Sequence, residues 1–187
     1  MQSHTSDSNK KNERLLRLRY STRKQRLLRI IKKIAVLVLI LFLVFRFLIG
    51  FSYVSGNSMQ PTLNDGDILL YSRIFNNVKI GDIISVAIPS GEYYVKRVVA
   101  LEGDTVDIID GKLYINGIPE AQTYVIGQTK SEDGNFTYPF TVSPGHAFVL
   151  GDNREASIDS RYFGEVSLSQ VKGVIKIKLG FFYVNSL

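Results

Sequence analysis

The chain of 187 residues has no cysteine and only two histidines, His4 and His146. The absence of cysteine excludes disulfides, thiol nucleophiles and cysteine ligands for a metal. His4 lies in a polar N-terminal stretch, so one histidine remains for the rest of the chain, which argues against a zinc site of common composition. We therefore expect no metal and no cofactor. His146 ends a Ser-Pro-Gly-His turn before an apolar run, where an edge or turn role is more ordinary than a place in a catalytic triad.

Nucleotide-binding motifs are also missing, and the excess of positive charge is confined to one region. The chain has no Walker A sequence and no G-x-G-x-x-G after a strand. Residues 1–33 contain eleven Lys or Arg and two acids, whereas residues 34–187 contain twelve Lys or Arg and fifteen acids. The net charge of +6 therefore comes from the N-terminal tail. Because an apolar run follows this tail, it indicates a membrane rather than a nucleic acid as the partner.

Residues 34–51 form this apolar run of eighteen residues, which contains a single charge, Arg46. A membrane-spanning helix needs about 20 predominantly apolar residues. The positive-inside rule places the basic tail in the cytoplasm. No small-residue cleavage pattern occurs near Gly50, which favours a retained anchor over a cleaved signal peptide.

The sequence thus predicts three regions: a basic cytoplasmic tail at 1–33, one transmembrane helix at 34–51, and an extracytoplasmic domain at 52–187. Within the tail, residues 13–33 fit two interpretations equally well. They are either an amphipathic helix on an anionic membrane surface or a solvated basic flank. The outer domain is long enough to build one hydrophobic core.

The outer domain has the pattern of a mainly β fold with antiparallel sheets, because short apolar runs alternate with turn signals. The dipeptides at 65–66, 110–111 and 116–117 are Asp-Gly or Asn-Gly and are typical of hairpins. Residues 119–145 contain three prolines and are predicted to form a less regular segment. The predicted strands are 68–71, 83–88, 93–101, 105–109, 112–115, 147–150 and 174–179. In the last strand, alternation predicts one face with Ile175, Ile177 and Leu179 and an opposite face with Lys176 and Lys178.

Ser58 is a candidate nucleophile in the segment YVSGNSMQPTL, seven residues after Phe51. A serine in such a turn is most often only a turn residue. Its closeness to the apolar run would hold it near a bilayer. Gly56 and Asn57 permit the tight backbone that an exposed hydroxyl needs, and Pro61 stiffens the exit from the turn.

Lys96 is the best candidate for the base that a serine hydroxyl requires. Alternation along 93–101 places it on one face with Tyr94, Val98 and Ala100, where apolar neighbours would lower the pKa of its amine. Arg97 cannot serve, because a guanidinium does not deprotonate. The alternative is an edge-strand lysine whose ammonium reaches water.

The segment GDNREASIDSR at 151–161 is dense in polar residues. It has the composition of a turn held by bonds between side chains and backbone. It also offers a hydroxyl that could orient an amine, and charges that could form ion pairs.

Three segments, SGNSMQPTL, YYVKRVVALEGD and GDNREASIDSRYFG, occur in this order behind one apolar run. Together they closely resemble the characteristic boxes of the type I signal peptidases, and the single anchor and short chain are most similar to the compact Gram-positive forms. The resemblance extends from about residue 35 to 180. It implies an endopeptidase of the bacterial cell membrane that removes signal peptides from exported preproteins, cutting after small residues. It also implies antiparallel β-sheets whose catalytic end faces the membrane.

The resemblance implies roles for individual residues. Ser58 is expected to be the nucleophile and Lys96 its general base, with Ser157 orienting the lysine. The expected supporting ion pairs are Asp159 with Arg161 and Asp152 with Arg97. The expected wall of the substrate cleft is Met59 and the segment Phe51–Ser55, with Tyr53, Val54 and Ser55 as the expected binding residues.

One position departs from the pattern. Some family members carry a serine two residues before the nucleophile, and its hydroxyl helps to stabilise the oxyanion. This chain has Gly56 there, which leaves a backbone N–H or a water as the second donor. Where a donor was used, its loss typically costs several kcal/mol of barrier.

Three other functions share features with this sequence. Ser169-Gln-Val-Lys172 matches the S-x-x-K of penicillin-binding proteins but lacks the S-D-N and K-T-G partners. A self-cleaving repressor would share the Ser/Lys pair but needs a DNA-binding module, which is not visible. A non-catalytic signal-peptidase-like assembly factor is expected to lose Ser58 or Lys96. We expect preproteins and the lipid bilayer as partners, no nucleic acid, and a monomer.

Overall fold

The structure is a computed structural model that describes residues 24–75, 77–88, 91–121, 123–131, 137–180 and the backbone of 184–186. The chain forms two compact units, Met1–Arg46 and Phe47–Leu187. Helix α1 is described over residues 24–43 and is followed by a π-helical turn, Val44–Leu48. Within the described part of the chain, we find no helix that is both long enough and apolar enough to cross a membrane. The expectations for residues 1–23 lie outside the described residues.

The apolar run 34–51 is not helical to its last residue. The predicted transmembrane helix was expected to end at residue 51, and this boundary is wrong. The last three residues of the run, 49–51, belong to strand β1, Ile49–Tyr53, which pairs with the antiparallel strand β2. The main-chain groups of this segment are therefore satisfied by a neighbouring strand, which hydrophobicity alone does not reveal.

Twelve strands are described in the second unit, and all the pairs between them are antiparallel. Eight form a sheet in the order β1-β2-β11-β3-β4-β9-β10, with β12 paired to β11, and four form a second sheet in the order β7-β6-β5-β8. The mainly β, antiparallel fold is thus confirmed. The strands after β1 are β2 Ile68–Ser72, β3 Ile83–Ala87, β4 Tyr93–Leu101, β5 Thr105–Ile109, β6 Lys112–Ile115, β7 Ile118–Pro119, β8 Phe140–Thr141, β9 His146–Leu150, β10 Val166–Ser167, β11 Val171–Leu179 and β12 Val184–Ser186.

All seven predicted strands are present, and three of them, at 93–101, 105–109 and 112–115, match to the residue. Five strands were not predicted. Four of them have only two or three residues, which is too short for a periodic signal. The fifth, β1, begins inside the apolar run that was assigned to a helix. Short helical segments occur at Arg154–Ala156, Ser160–Phe163 (α2) and Leu168–Gln170.

Two of the three predicted hairpin dipeptides have the expected backbone. Asp110 has φ 49° and Gly111 has φ 73° between β5 and β6, and the pair at 116–117 is equivalent between β6 and β7. At 65–66 only Gly66 has a positive φ, 90°. Its N–H donates to the carbonyl of Val54. This turn is therefore not a two-residue hairpin; it closes the loop that carries Ser58.

The alternation expected in β11 is broken by an irregularity. The register with β2 shifts between Ile175 and Ile177, so that Lys176 is exposed but Lys178 is buried. The predicted polar face with both lysines is therefore wrong for Lys178, because one inserted residue moves every later side chain to the opposite face.

A second register shift occurs in β4, between Val98 and Ala100. Val98 belongs to the hydrophobic cluster around Ile84 and Val149, whereas Ala100 packs in the cluster that faces the four-stranded sheet. The expected common face therefore extends from Tyr94 to Val98 and does not include Ala100.

Candidate active site

Ser58 and Lys96 are brought into contact by elements that lie far apart in sequence. Lys96 lies in the middle of β4, paired with Ile84 of β3, and Ser58 lies in the turn after β1. The Nζ of Lys96 donates a hydrogen bond to the Oγ of Ser58 over 2.8 Å. This is the geometry that a nucleophile and its base require before reaction.

The amine of Lys96 is withdrawn from water, with only 4% of the residue exposed. The pKa of Lys96 is lowered from 10.5 to about 8, chiefly by burial. The charges of Asp159 and Asp152 oppose this shift, and the charge of Arg161 contributes to it. Burial acts in this direction because it disfavours the charged form of an amine. The alternative of an ammonium in bulk water is therefore wrong.

The turn that carries Ser58 is held from several sides. The carbonyl of Ser58 accepts a hydrogen bond from the N–H of Asn153 at 3.0 Å. The carbonyl of Thr62, at the end of the turn, accepts one from the Nζ of Lys178 at 2.8 Å. Met59 and Leu63 are buried beneath it, at 1% and 0% exposure. These contacts limit the freedom of the hydroxyl relative to Lys96.

The two predicted ion pairs are both present. Arg97 donates two bonds to Asp152, from Nε at 2.8 Å and from Nη2 at 2.7 Å, and Thr62 donates to the same carboxylate. Arg161 donates from Nε at 2.8 Å and from Nη2 at 2.9 Å to Asp159, and both side chains are fully buried. Bidentate hydrogen bonds of this kind fix the relative orientation of the guanidinium and the carboxylate as well as their distance.

Ser157 does not make the bond that was expected. Its hydroxyl is buried and has no hydrogen-bond partner among the described residues. It lies against Gly151, where an added Cβ would come within 2.2 Å of the Ser157 Oγ and 2.5 Å of the Ser58 carbonyl oxygen. A side chain at position 151 would therefore disrupt the contact between the loop at 151–161 and the turn that carries Ser58.

A third ion pair was missed. Arg154 is 1% exposed and donates from Nη2 to both carboxylate oxygens of Glu120, at 2.8 and 2.6 Å. It also donates to the Oγ1 of Thr129 and the carbonyl of Gly151. The segment at 119–145 thus supplies partners for the loop. No local pattern could have revealed this pair, because its two members lie 34 residues apart.

A cleft of about 290 Å³ lies beside Ser58 and Lys96. Of the residues expected in its wall, Ser52, Tyr53, Val54, Ser55 and Met59 line it. Phe51 is not part of this lining, so the predicted wall begins one residue later. Tyr93, Tyr94, Val95, Ala156 and Ile158 complete much of the lining and had not been predicted.

The residues of the rejected alternatives take structural roles. The Nδ1 of His146 donates to the carbonyl of Pro144 over 2.9 Å. The hydroxyl of Ser169 lies 2.8 Å from that of Ser167, and Lys172 is exposed on β11. We find no hydrogen bond between Ser169 and Lys172 in the described part of the chain, so the S-x-x-K pattern does not form a catalytic pair.

A serine hydroxyl beside a buried amine, at the end of a cleft in an antiparallel β domain, is the arrangement of a serine-type hydrolase. Comparison with known proteins gives the particular family. The family described as "Signal peptidase, peptidase S26" matches residues 27–180. The chain is 37% identical to a signal peptidase I of Bacillus caldolyticus, over 67% of this chain and 76% of that protein. It is 33% identical to a signal peptidase IB of Staphylococcus aureus, over 83% and 90%.

A crystal structure of a signal peptidase I from Enterococcus faecalis is similar to 54% of this chain and 98% of its own, with 37% identity and a TM-score of 0.44. The chain belongs to the signal peptidase family, peptidase S26. It is a type I signal peptidase, a serine endopeptidase that cleaves signal peptides.

Proposed function

We propose that this enzyme cleaves preproteins by a dyad mechanism in which Ser58 is the nucleophile and Lys96 the general base. The contact between Nζ and Oγ at 2.8 Å carries this proposal. The lowered pKa of Lys96 supports it, because a base must be neutral in a useful fraction of molecules near the working pH. With a pKa of about 8, that fraction is substantial at neutral pH.

The proton follows one route through the cycle. The neutral amine of Lys96 takes the proton of the Ser58 hydroxyl as Oγ attacks the scissile carbonyl. The resulting ammonium gives that proton to the leaving amine when the peptide bond breaks and the acyl ester remains. A water then loses a proton to Lys96 and attacks the ester, and the proton returns to Oγ as Ser58 is released.

We assign the first oxyanion donor to the backbone N–H of Ser58. Gly56 offers no hydroxyl, and its N–H donates to the Oδ1 of Asp65 over 2.8 Å. That bond closes the turn in front of the nucleophile. The second donor is accordingly a group other than residue 56, either a backbone N–H or a water.

The ion pairs act as positioning groups. Asp159 and Arg161 hold the loop at 151–161, and the Asp159 carboxylate accepts a bond from the N–H of Gly151. Asp152 links this loop to Arg97, the residue after Lys96. We propose that the buried hydroxyl of Ser157, which is free for a new bond, orients the Lys96 amine once it has become neutral.

The substrate is proposed to be the cleavage region of a preprotein, lying in the cleft lined by Tyr53, Val54, Ser55 and Met59. A volume of about 290 Å³ suits small side chains at the cleavage site. We propose that the enzyme acts as a monomer. No cofactor and no nucleic acid take part.

We also propose that the enzyme is held in the bacterial cell membrane by the apolar run that begins at residue 34 and precedes β1. Residues 1–33 would then lie in the cytoplasm and the β domain outside. The apolar composition of the run and the basic residues before it support this topology. Anchoring the enzyme and its preprotein in one bilayer would raise their effective concentration.

The decisive experiment is cleavage of a preprotein in detergent by the wild type and by Ser58→Ala. Cleavage that disappears in the variant is expected, with His146→Ala retaining nearly full activity as the matched control. Binding of the preprotein without cleavage by the wild type would instead identify a non-catalytic assembly factor.

Membrane anchoring is tested by removing residues 1–46. The remaining unit should cleave preproteins in vesicles poorly and short cleavage-site peptides with a smaller loss. Equal relative losses on the two substrates would contradict the proximity advantage.

A further inference from the structure

A second cavity, of about 360 Å³, lies beside the cleft and shares Ser52 and Tyr93 with it. The catalytic proposal assigns it no role. Its lining combines hydroxyls and aromatic rings with two cations, Arg73 and Lys172, whereas the cleft has one basic side chain, Lys96. The remaining lining residues are Phe51, Tyr71, Arg73, Ser85 and Lys172.

Two glycines shape the floor of this cavity. The ring of Tyr71, on β2, lies across Gly50 of β1 and Gly173 of β11. A Cβ added at either glycine would come within 2.2 or 2.3 Å of the ring. The two neighbouring strands thus lack side chains where the ring lies, which leaves a depression on this face of the large sheet.

Two cations line the cavity without a counter-ion. Neither Arg73 nor Lys172 has an ion pair with a carboxylate in the part of the chain that the structure describes. The guanidinium of Arg73 lies 5.3 Å from the centroid of the Tyr71 ring. By contrast, Lys176 on the same strand as Lys172 lies 3.9 Å from Asp82. This concentration of positive charge occurs in a part of the chain where acids outnumber Lys and Arg.

The hydroxyl of Ser85 completes the set. Ser85 lines the cavity although the residue as a whole is only 3% exposed, and its hydroxyl forms no hydrogen bond with the described residues. The lining therefore offers a hydroxyl donor beside the two cations. An oxyanion in the cavity would accept a hydrogen bond from it and at the same time neutralise both cations.

The rim of the cavity indicates where such an anion comes from. Phe51 and Tyr93 are 73% and 62% exposed, and Tyr53 on the same strand as Phe51 is 64% exposed. Exposed aromatic side chains beside Lys and Arg are characteristic of the headgroup level of a bilayer. Phe51 also lies in β1, the strand that directly follows the part of the apolar run that we propose as the anchor. A phosphate held by a guanidinium and an ammonium is the arrangement found in basic lipid-binding pockets.

We propose that this cavity binds the phosphate of an anionic phospholipid headgroup. The site rests on the proposed membrane location and is separate from the dyad. Arg73 would hold the phosphate in a forked contact, Lys172 would balance its charge, and Ser85 would donate to one oxygen. Binding would fix the cleft, which shares two lining residues with the cavity, at the depth where preproteins leave the bilayer.

The test uses the full chain in uncharged detergent, titrated with short-chain phosphatidylglycerol and followed by ³¹P NMR. Arg73→Gln and Lys172→Gln should each weaken binding roughly tenfold, since each removes a hydrogen bond to a charged group. Lys176→Gln is the matched control, an exposed lysine on the same strand, and should bind like the wild type. Phosphatidylcholine should bind more weakly, because its choline cation opposes the two cations.

Three results would overturn the proposal. The first is equal affinity for phosphatidylglycerol in Lys176→Gln and in a double variant that combines Arg73→Gln with Lys172→Gln. The second is displacement of the lipid by inorganic phosphate at equal concentration, which would identify a free-phosphate site. The third is a double variant that binds the lipid like the wild type but has a higher KM for peptides with acidic flanking residues, and for no other peptides. That result would make the cavity a substrate subsite.

Cleavage of a short neutral peptide separates this proposal from the catalytic one. Arg73→Gln and Lys172→Gln should leave that activity unchanged, which also shows that the variants fold. A failure of the dyad proposal would appear in Ser58→Ala on the same peptide and would leave lipid binding untouched.

Discussion

Lys96 and Lys178 are both buried lysines on strands of the large sheet, with exposures of 4% and 7%. Their surroundings differ. Lys178 donates to the Thr62 carbonyl at 2.8 Å and lies 3.9 Å from the carboxylate of Asp67. The hydrogen-bond partner of Lys96 is the hydroxyl of Ser58. A carbonyl and a carboxylate stabilise a positive charge, whereas a hydroxyl can also donate a proton to a neutral amine.

The comparison shows that burial alone does not make a base. Lys178 fastens the end of the turn whose middle carries the nucleophile, through its contacts with a carbonyl and a carboxylate. Lys96 faces the reacting hydroxyl, and its task needs a neutral amine. The partner decides which of the two roles a buried lysine takes.

The largest expected effect separates the two lysines directly. Lys96→Arg and Ser58→Ala should each lower kcat by at least about a thousandfold, because one has no base and the other no nucleophile. The double variant should be little worse than either single one, since the pair acts as a unit. Preprotein cleavage in detergent measures this.

Lys178→Arg is the counterpart of Lys96→Arg. It should retain most of the activity, because a guanidinium keeps the positive charge that this position uses. Appreciable turnover in Lys96→Arg, or its complete loss in Lys178→Arg, would break the comparison.

The pH dependence should belong to Lys96 alone. Below its pKa of about 8, kcat/KM should fall about tenfold per pH unit, because only the neutral amine accepts a proton. The apparent pKa should stay near 8 in Lys178→Arg. A rate that is flat from acid to alkaline pH would contradict a lysine base.

The same shift also predicts a change in stability. In the unfolded chain Lys96 has a pKa of 10.5, which is lowered to about 8 in the fold. The buried ammonium therefore costs stability below pH 8, and this cost disappears as the pH rises through 10.5. The stability of the wild type relative to Lys96→Met should rise across this window, by roughly 3 kcal/mol at most. Urea unfolding of both proteins at pH 7 and pH 10.5 provides the measurement.

Loss of one partner of the buried ion pair between Asp159 and Arg161 should mainly lower the stability of the domain. Its effect on activity should be smaller than that of losing Ser58 or Lys96. Asp159→Ala should lower the free energy of unfolding by about 3–5 kcal/mol, because Arg161 then remains buried without its counter-charge. Lys176→Ala, which removes the exposed partner of Asp82, should cost about 1 kcal/mol or less. Equal stability of the two variants would refute the structural role of the buried pair.

The smallest effect is expected for Ser157→Ala, about tenfold in kcat, since Lys96 keeps its burial and loses only an orienting bond. The apparent pKa in the rate profile should also shift, which a merely structural role would not produce. A wild-type rate and profile in this variant would remove Ser157 from the mechanism.

Local pattern was a good guide to the fold wherever a strand was long enough to alternate. The runs at 93–101, 105–109 and 112–115 match the observed strands to the residue, and the paired φ angles at 110–111 follow from Asp-Gly chemistry. It failed where a single inserted residue shifted the register. Lys178 was placed on the wrong face for this reason.

The family and the identities of the site residues could be read from three short segments, since reactive groups must be particular residue types at particular positions in a turn or strand. Three results came only from the tertiary structure: the 2.8 Å contact of Ser58 with Lys96, the ion pair of Arg154 with Glu120, and the two cations in the cavity beside the cleft. Each depends on residues that are distant in sequence, which meet only when strands pair across the sheet. A linear pattern records which chemistry is available, whereas the distance, burial and partner of each group are properties of the packed chain.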